Sequence, residues 1–177
     1  MQRAVFLDRD GVLNEAVVRD GKPYPPSSLA SLQIPKDVTH ALQILKKAGF
    51  LLIGATNQPD VARGTTPRET VDAINDYLLD TLPLDAILVC YHDDVDQCKC
   101  RKPSPGLLLQ SATQYKIDLS QSVMIGDRWK DIEAGKQAGC RTVWLDYNYQ
   151  EPFLARAPDF RTSTLSSAAK WIINNFL

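Results

Sequence analysis

The chain has 177 residues, 44% hydrophobic, 23% charged and 8% aromatic. This is ordinary globular usage, and it excludes a disordered tract, a collagen-like repeat and a disulfide-dense miniprotein. Twenty Lys and Arg against twenty-one Asp and Glu leave a net charge of -1, so no global field favours nucleic acid or an anionic membrane. The size suits one domain, so a single domain over 1–177 acting as a monomer is expected. Met1 to Asp8 reaches charge without a long apolar stretch, and no apolar run approaches the roughly 18 residues of a membrane span. A cytoplasmic protein with no membrane partner is expected.

Ala4 to Leu7 is a short apolar run ending in Asp8-Arg9-Asp10-Gly11, which predicts a buried strand that stops at an acidic turn. Asn14 to Ile34 is polar and carries Asp20-Gly21 and Tyr24-Pro25-Pro26, so it reads as an irregular excursion serving as a small flap. From Asp37, the apolar positions Val38, Ala41, Leu42, Ile44 and Leu45 recur at helical spacing until Lys46, Lys47 and Gly49 close the helix. Phe50 to Ala55 is the second strand. The unit then recurs: a helix from Pro67 to Asp80, a strand from Ala86 to Val89, and a helix after Ser104-Pro105. A strand from Val123 to Ile125, a helix from Trp129 to Ala138 stopped by Gly139, a strand from Thr142 to Leu145 and a helix from Ser166 to Asn175 complete it. Short continuous apolar strands alternating with amphipathic helices predict a doubly wound α/β fold. Its sheet is mainly parallel and Rossmann-like, with helices on both faces and no large cap domain.

In such sheets ligands bind beyond the carboxyl ends of the strands. Four polar groups stand there: Asp8-x-Asp10-Gly11, Thr56-Asn57-Gln58, Arg101-Lys102-Pro103, and Gly126-Asp127 with Asp131 four residues later. Asp8, Asp10 and Asp127 supply oxygen donors of the kind Mg²⁺ takes. Thr56 and the N–H groups after it suit phosphate oxygens, and Lys102 adds a point charge that serves carboxylate and phosphate alike. Taken singly, an Asp after a strand is a turn former and Lys102 a solvated charge. Their joint occurrence at successive strand ends points to phosphoryl transfer.

Cys90-Tyr91-His92 and Cys98-Lys99-Cys100 place four N and S donors at the spacing of a closed tetrahedral Zn²⁺ site, so a short zinc loop is expected. Cys140, entering a strand, reads as a small buried apolar residue, and His40 as a surface position.

The Asp8-Arg9-Asp10-Gly11-Val12-Leu13-Asn14 motif, Thr56-Asn57-Gln58, Lys102 and Gly126-Asp127 to Asp131 together resemble the haloacid-dehalogenase-like hydrolases. The first two are similar to the branch holding the D-glycero-D-manno-heptose 1,7-bisphosphate phosphatases and the histidinol-phosphate phosphatases. The resemblance implies that Asp8 attacks phosphorus to give an aspartyl-phosphate, while Asp10 protonates the leaving oxygen and later activates water. It also implies that Mg²⁺ is held by the side chains of Asp8 and Asp127 and the backbone carbonyl of Asp10, with Asp131 orienting Lys102 or a metal-bound water. Asn57, Gln58, Arg63 and Arg101 are expected at the substrate, Arg101 on a second phosphate, and the zinc loop is expected to fix Arg101 and Lys102. The expected substrate is a small phosphorylated metabolite, heptose 1,7-bisphosphate first. Histidinol phosphate is the alternative, its amine to be met by Asp93, Asp94 or Asp96. A non-catalytic zinc-stabilised module would have lost Asp8 or Asp10, and a nucleic-acid phosphatase would need a basic aromatic groove.

Overall fold

The computed structural model describes residues 1–151 and 156–176. Its strands are β1 (Arg3–Leu7), β2 (Val17–Arg19), β3 (Lys22–Tyr24), β4 (Phe50–Asn57), β5 (Ala86–Cys90), β6 (Val123–Gly126), β7 (Arg141–Leu145) and β8 (Phe160–Thr162). Its helices are α1 (Val38–Lys47), α2 (Arg68–Thr81), α3 (Gly106–Tyr115), α4 (Trp129–Ala138) and α5 (Leu165–Phe176). Six strands form one parallel sheet in the order β5-β4-β1-β6-β7-β8. The chain winds outward from β1 through β4 to β5, returns to β6 and winds the other way. The expected doubly wound α/β architecture is therefore the observed one, with its switch point between β1 and β6.

Ala4, Val5, Phe6 and Leu7 are all fully buried, because alternate side chains of β1 enter two different layers. Val5 and Leu7 pack with α1, α2 and α5, and Ala4 and Phe6 with α3 and α4. A strand covered on both faces has no polar side to display, which is why these strands read as unbroken apolar runs. Gly139, in the left-handed conformation at φ +86°, ends α4 as its position predicts.

Two stretches differ from the sequence expectation. Within Asn14 to Ile34 the chain forms an antiparallel β2–β3 hairpin followed by a 3₁₀ turn at Leu29–Ser31. Asp20 and Gly21, at φ 50° and 71°, have the two positive values that match a primed hairpin turn to strand twist. Its strands have only three residues each, too short to display a period of two. The sixth sheet strand, β8, was not expected, again because it has three residues. The Asp159 carboxylate beside it accepts from the Thr142 N–H at 2.7 Å and from Lys136 Nζ at 2.6 Å, pinning this segment to β7 and α4. In addition, β4 continues to Asn57, since Thr56 and Asn57 pair with Val89 and Cys90.

No helix among the described residues is long and apolar enough to cross a membrane. No large cap domain stands among them, and the hairpin and the 90–102 loop are what overhang the carboxyl ends of β1 and β6.

Phe6 fills the layer beneath α3 and α4 with no exposure. Phe6→Ala is expected to lower stability by about 3–5 kcal/mol, on the order of 10 °C in the thermal midpoint, read by calorimetry. A change under about 2 °C would show that this layer does not carry the fold.

Candidate active site

The switch point brings together the carboxyl ends of β1 and β6, and with them Asp8 and Asp127. Between the Asp8 carboxylate and that of Asp131, in the first turn of α4, the structure places the Lys102 ammonium. Lys102 Nζ donates to Asp8 Oδ1 at 2.8 Å and to Asp131 Oδ1 at 2.6 Å, and its side chain is 2% exposed. Asp131 Oδ2 accepts the Arg128 backbone N–H at 3.0 Å, so the residue that grips Lys102 also caps α4. Gly126 is needed for this arrangement, because a Cβ there would lie 2.1 Å from Asp131 Cβ.

Asp8, Asp127 and Asp131 lie close enough together to share one ion, and all three are buried. Burial, reinforced by the Asp131 charge and opposed by Lys102, pushes Asp8 up to about 7. Burial and then the Asp8 and Asp131 carboxylates push Asp127 well above the usual carboxylate range. Burial works against the Lys102 charge, yet Asp131 and Asp8 outweigh it and hold the ammonium above the ordinary lysine range. Among the described residues neither Asp127 oxygen has a hydrogen-bond partner, although both are buried. The absent side chain of Gly11 makes room for them, since a Cβ there would stand 1.9 Å from Asp127 Oδ2. Three crowded carboxylates with one ammonium and two orphaned oxygens fit a hard divalent cation.

Asp10 lies outside this trio. Its Oδ1 accepts from Arg9 Nε at 3.2 Å and Asn14 Nδ2 at 3.0 Å, and its Oδ2 from Arg9 Nη2 at 3.0 Å and Gln58 Nε2 at 2.8 Å. Of the donors that the resemblance assigns to Mg²⁺, Asp10 thus has only its backbone carbonyl uncommitted to these contacts. Thr56 is buried on the cleft floor, its Oγ1 accepting from Gln58 Nε2 at 2.9 Å. Asn57 and Gln58, expected at the substrate, both use their amides within the protein. Asn57 clasps the Lys102 backbone through Nδ2 to the carbonyl at 2.9 Å and the N–H to Oδ1 at 3.0 Å. Gln58 is 3% exposed beneath Asp10 and Thr56.

The donors of Cys90, His92, Cys98 and Cys100 form the second cluster. Cys90 Sγ stands 3.6 Å from both His92 Nδ1 and Cys98 Sγ, and Cys100 Sγ lies 3.3 Å from His92 Nδ1, 3.5 Å from Cys98 Sγ and 2.9 Å from Cys90 Sγ. All but the last are within about 0.5 Å of the roughly 3.8 Å that Zn–S bonds of about 2.3 Å give in a tetrahedron, and the Cys90–Cys100 edge is shorter. Burial opposes ionisation of Cys98, but the Arg101 backbone N–H and the neighbouring thiols outweigh it and bring Cys98 down to about 7, whereas burial holds Cys90 and Cys100 above the ordinary thiol range. The loop is also locked to α3: Gly106 N donates to the Lys99 carbonyl at 3.1 Å, and a Cβ on Gly106 would meet that oxygen at 2.0 Å.

Above the acids opens a cleft of about 340 Å³ whose rim bears Lys22, Arg63, Arg101, Arg128 and Lys130. Lys22, Arg128 and Lys130 had no motif to announce them. Arg63 donates to both Asp93 oxygens at 2.7 and 2.6 Å, and Arg101 Nε donates to Asp94 Oδ1 at 2.7 Å. Two further residues beyond the sequence expectation are buried behind Asp10: Arg9, and Asn75 on α2, which accepts from Arg9 Nη1 at 3.0 Å. The signal for Asn75 was present, as an amide among Val71, Ile74 and Leu78 on the buried face of α2.

The HAD-hydrolase-like family model matches residues 99–167. The D-glycero-beta-D-manno-heptose-1,7-bisphosphate 7-phosphatase of Bordetella bronchiseptica is 35% identical over 148 residues, 81% of this chain and 79% of the relative. The enzyme of the same name from Escherichia coli K12 is 31% identical over 184 residues, covering 97% and 88%. A crystal structure of the D,D-heptose 1,7-bisphosphate phosphatase from B. bronchiseptica, complexed with magnesium and phosphate, superposes with a TM-score of 0.78 at 28% identity, covering 98% of this chain and 99% of that one. This chain therefore belongs to the haloacid-dehalogenase-like hydrolases, in the same branch as these phosphatases, and is a phosphoric monoester hydrolase.

Proposed function

We propose that this chain is a Mg²⁺-dependent phosphatase that removes the 7-phosphate of D-glycero-D-manno-heptose 1,7-bisphosphate through an aspartyl-phosphate on Asp8. The observation that carries the reading is the Lys102 bridge from Asp8 to Asp131 on the floor of a cleft rimmed with cations. Lys102 fixes Asp8 Oδ1 and leaves the other oxygen to attack phosphorus in line. As the Asp8–phosphorus bond forms, the bond from phosphorus to the sugar oxygen breaks and that oxygen takes the Asp10 proton. Water then attacks phosphorus, Asp10 accepts its proton, and phosphate leaves Asp8 free. Asp8, Asp127 and the Asp10 carbonyl are the groups that would hold Mg²⁺, which would supply neutralisation of charge on the transferring phosphoryl group. Thr56 meets phosphate oxygens, and the guanidinium groups of Arg101 and Arg63 face the second phosphate. Residues 1–177 act as one domain, with the hairpin and the zinc loop standing where larger relatives carry a cap. Asp93 and Asp94, which an amine substrate would seek, are already paired with Arg63 and Arg101, and this favours a bisphosphate over histidinol phosphate.

Phosphate release is to be measured with Mg²⁺ on heptose 1,7-bisphosphate, fructose 1,6-bisphosphate and histidinol phosphate. The heptose ester is expected to lead, Asp8→Asn to abolish turnover of all three, and Arg101→Ala to lower kcat/KM for bisphosphates by about tenfold. A lead by histidinol phosphate would overturn the substrate, and activity in Asp8→Asn the mechanism.

The raised Asp8 pKa gives a signed expectation for the metal-free protein. The fold holds a proton that the unfolded chain, with its ordinary value of 3.8, has lost, so stability falls as pH rises from about 4 through about 7. Thermal midpoints in chelator should therefore drop over this range, and Mg²⁺ should flatten the drop. Asp127→Asn should raise the metal-free midpoint at pH 8 by several degrees, about 1–3 kcal/mol, and remove the Mg²⁺ response. A Mg²⁺ response undiminished in Asp127→Asn would remove Asp127 from the metal site.

Metal analysis of protein purified without chelator should find one zinc per chain. Stripping it, then restoring Mg²⁺ alone, should leave kcat/KM lower by about 10–100-fold because Arg101 and Lys102 lose their anchorage. Full activity without zinc would sink that role.

A further inference from the structure

Arg9 is the largest fully buried side chain of the described residues, at 1% exposure, and nothing in the proposed chemistry uses it. A guanidinium cannot shed its charge, so in this position each of its nitrogens needs a partner inside the protein. Its partners lie on two sides. Nε and Nη2 reach Asp10 Oδ1 and Oδ2 at 3.2 and 3.0 Å, and Nη1 reaches Asn75 Oδ1 at 3.0 Å. Asn75 is itself 6% exposed on the apolar face of α2, where an amide is costly unless hydrogen-bonded, and among the described residues Arg9 is its side-chain partner.

We infer that Asn75 and Arg9 are positioning residues for Asp10: α2 holds the guanidinium through Asn75, and the guanidinium holds the plane of the Asp10 carboxyl group. A carboxyl group turns freely about its Cβ–Cγ bond unless both oxygens are tied. Asn14 and Gln58 tie one oxygen each through neutral amides on separate side chains, whereas Arg9 spans both with one planar charged fork, which sets the carboxyl plane more firmly. An arginine anchored only at Asp10 would move with it, because its side chain has several free torsions. The Asn75 contact at the opposite nitrogen makes it a strut from a rigid helix. This inference rests on Asp10 acting as the general acid, and its closing test separates the two.

The test compares kcat/KM, which reports events through departure of the leaving group, on two esters. One is a sugar phosphate that the wild-type enzyme turns over, whose alkoxide needs a proton. The other is 2,4-dinitrophenyl phosphate, whose leaving group departs without one. Asn75→Leu keeps the volume and removes the acceptor, and is expected to lose about 10–100-fold on the sugar phosphate and less than about twofold on the dinitrophenyl ester. Asn75→Asp keeps an acceptor at the same reach and should restore the wild-type ratio of the two. Asp10→Asn should lose more on the sugar phosphate with the same selectivity. If Asp10→Asn loses equally on both esters, the reading of Asp10 as the acid fails. If Asp10→Asn is selective but Asn75→Leu loses equally on both, or on neither, the strut is overturned while Asp10 keeps its role. Where thermal unfolding shows Asn75→Leu not to be folded, Asn75→Ala carries the same comparison.

Discussion

A lysine ammonium with almost no access to water, set between two carboxylates, is the contact around which the rest of this site is arranged. A charge in that position is tolerable only if its partners are held in place, because an uncompensated buried ion is worth several kcal/mol of instability. Each neighbouring device serves that end. Asn57 takes hold of the Lys102 backbone from the end of β4. The Cys90 to Cys100 cluster fixes the segment just before Lys102 and is itself keyed to α3 through Gly106. Gly126 lets Asp131 fold against the end of β6, where it also caps α4. The ion pair is thus the point where β1, β4, β6, α4 and the 90–102 loop meet.

The same concentration of charge makes the site uneasy without a cation. Asp8 and Asp127 are both pushed towards the neutral form, and among the described residues Asp127 has no hydrogen-bond partner for either oxygen. Folding has supplied one ammonium for three acids, and the Gly11 gap opens on the acid left over. Such a site gives up stability so that a phosphoryl group meets charges already in place, which is how preorganised electrostatics raise a rate.

How far this was legible in the sequence depends on the range of the interactions. The strands and helices follow from unbroken apolar runs and 3.6-residue periods, which are local, and the switch-point rule then carries Asp8, Thr56, Lys102 and Asp127 to one edge without knowledge of any contact. The Cys-x-His and Cys-x-Cys pairs were visible because metal ligands repeat at short spacing. What escaped was non-local or too short. Three-residue strands carry no period, so the hairpin and β8 were not seen. The inward turn of the Asn57 and Gln58 amides to Lys102 and Asp10 was not legible either, because a sequence does not show where an amide points. Arg9 sits between two acidic residues and reads as a charge in a turn; only the fold reveals Asn75 waiting 66 positions away.

The rim arginines show why specificity here is a matter of competition. Arg63 holds Asp93 at about 2, and burial of Asp94 counts for less than its hydrogen bond from Arg101, so both carboxylates stand ionised against their guanidinium partners. An entering phosphate must displace a carboxylate from Arg63 or Arg101, or share the guanidinium with it. A phosphate does this readily, because its oxygens match the same planar fork and carry more charge than a carboxylate. A cationic amine gains nothing from the exchange, since it must first pull Asp93 or Asp94 away from an arginine that it cannot replace at the partner's other contacts. Water reaches both pairs, through Arg63 (44% exposed) in one and through Asp94 (68% exposed) in the other, and this screening lowers the barrier to opening either. The acids of the 90–102 loop therefore do more than neutralise the rim: they hold its guanidinium groups through contacts with which any anion entering the cleft has to compete.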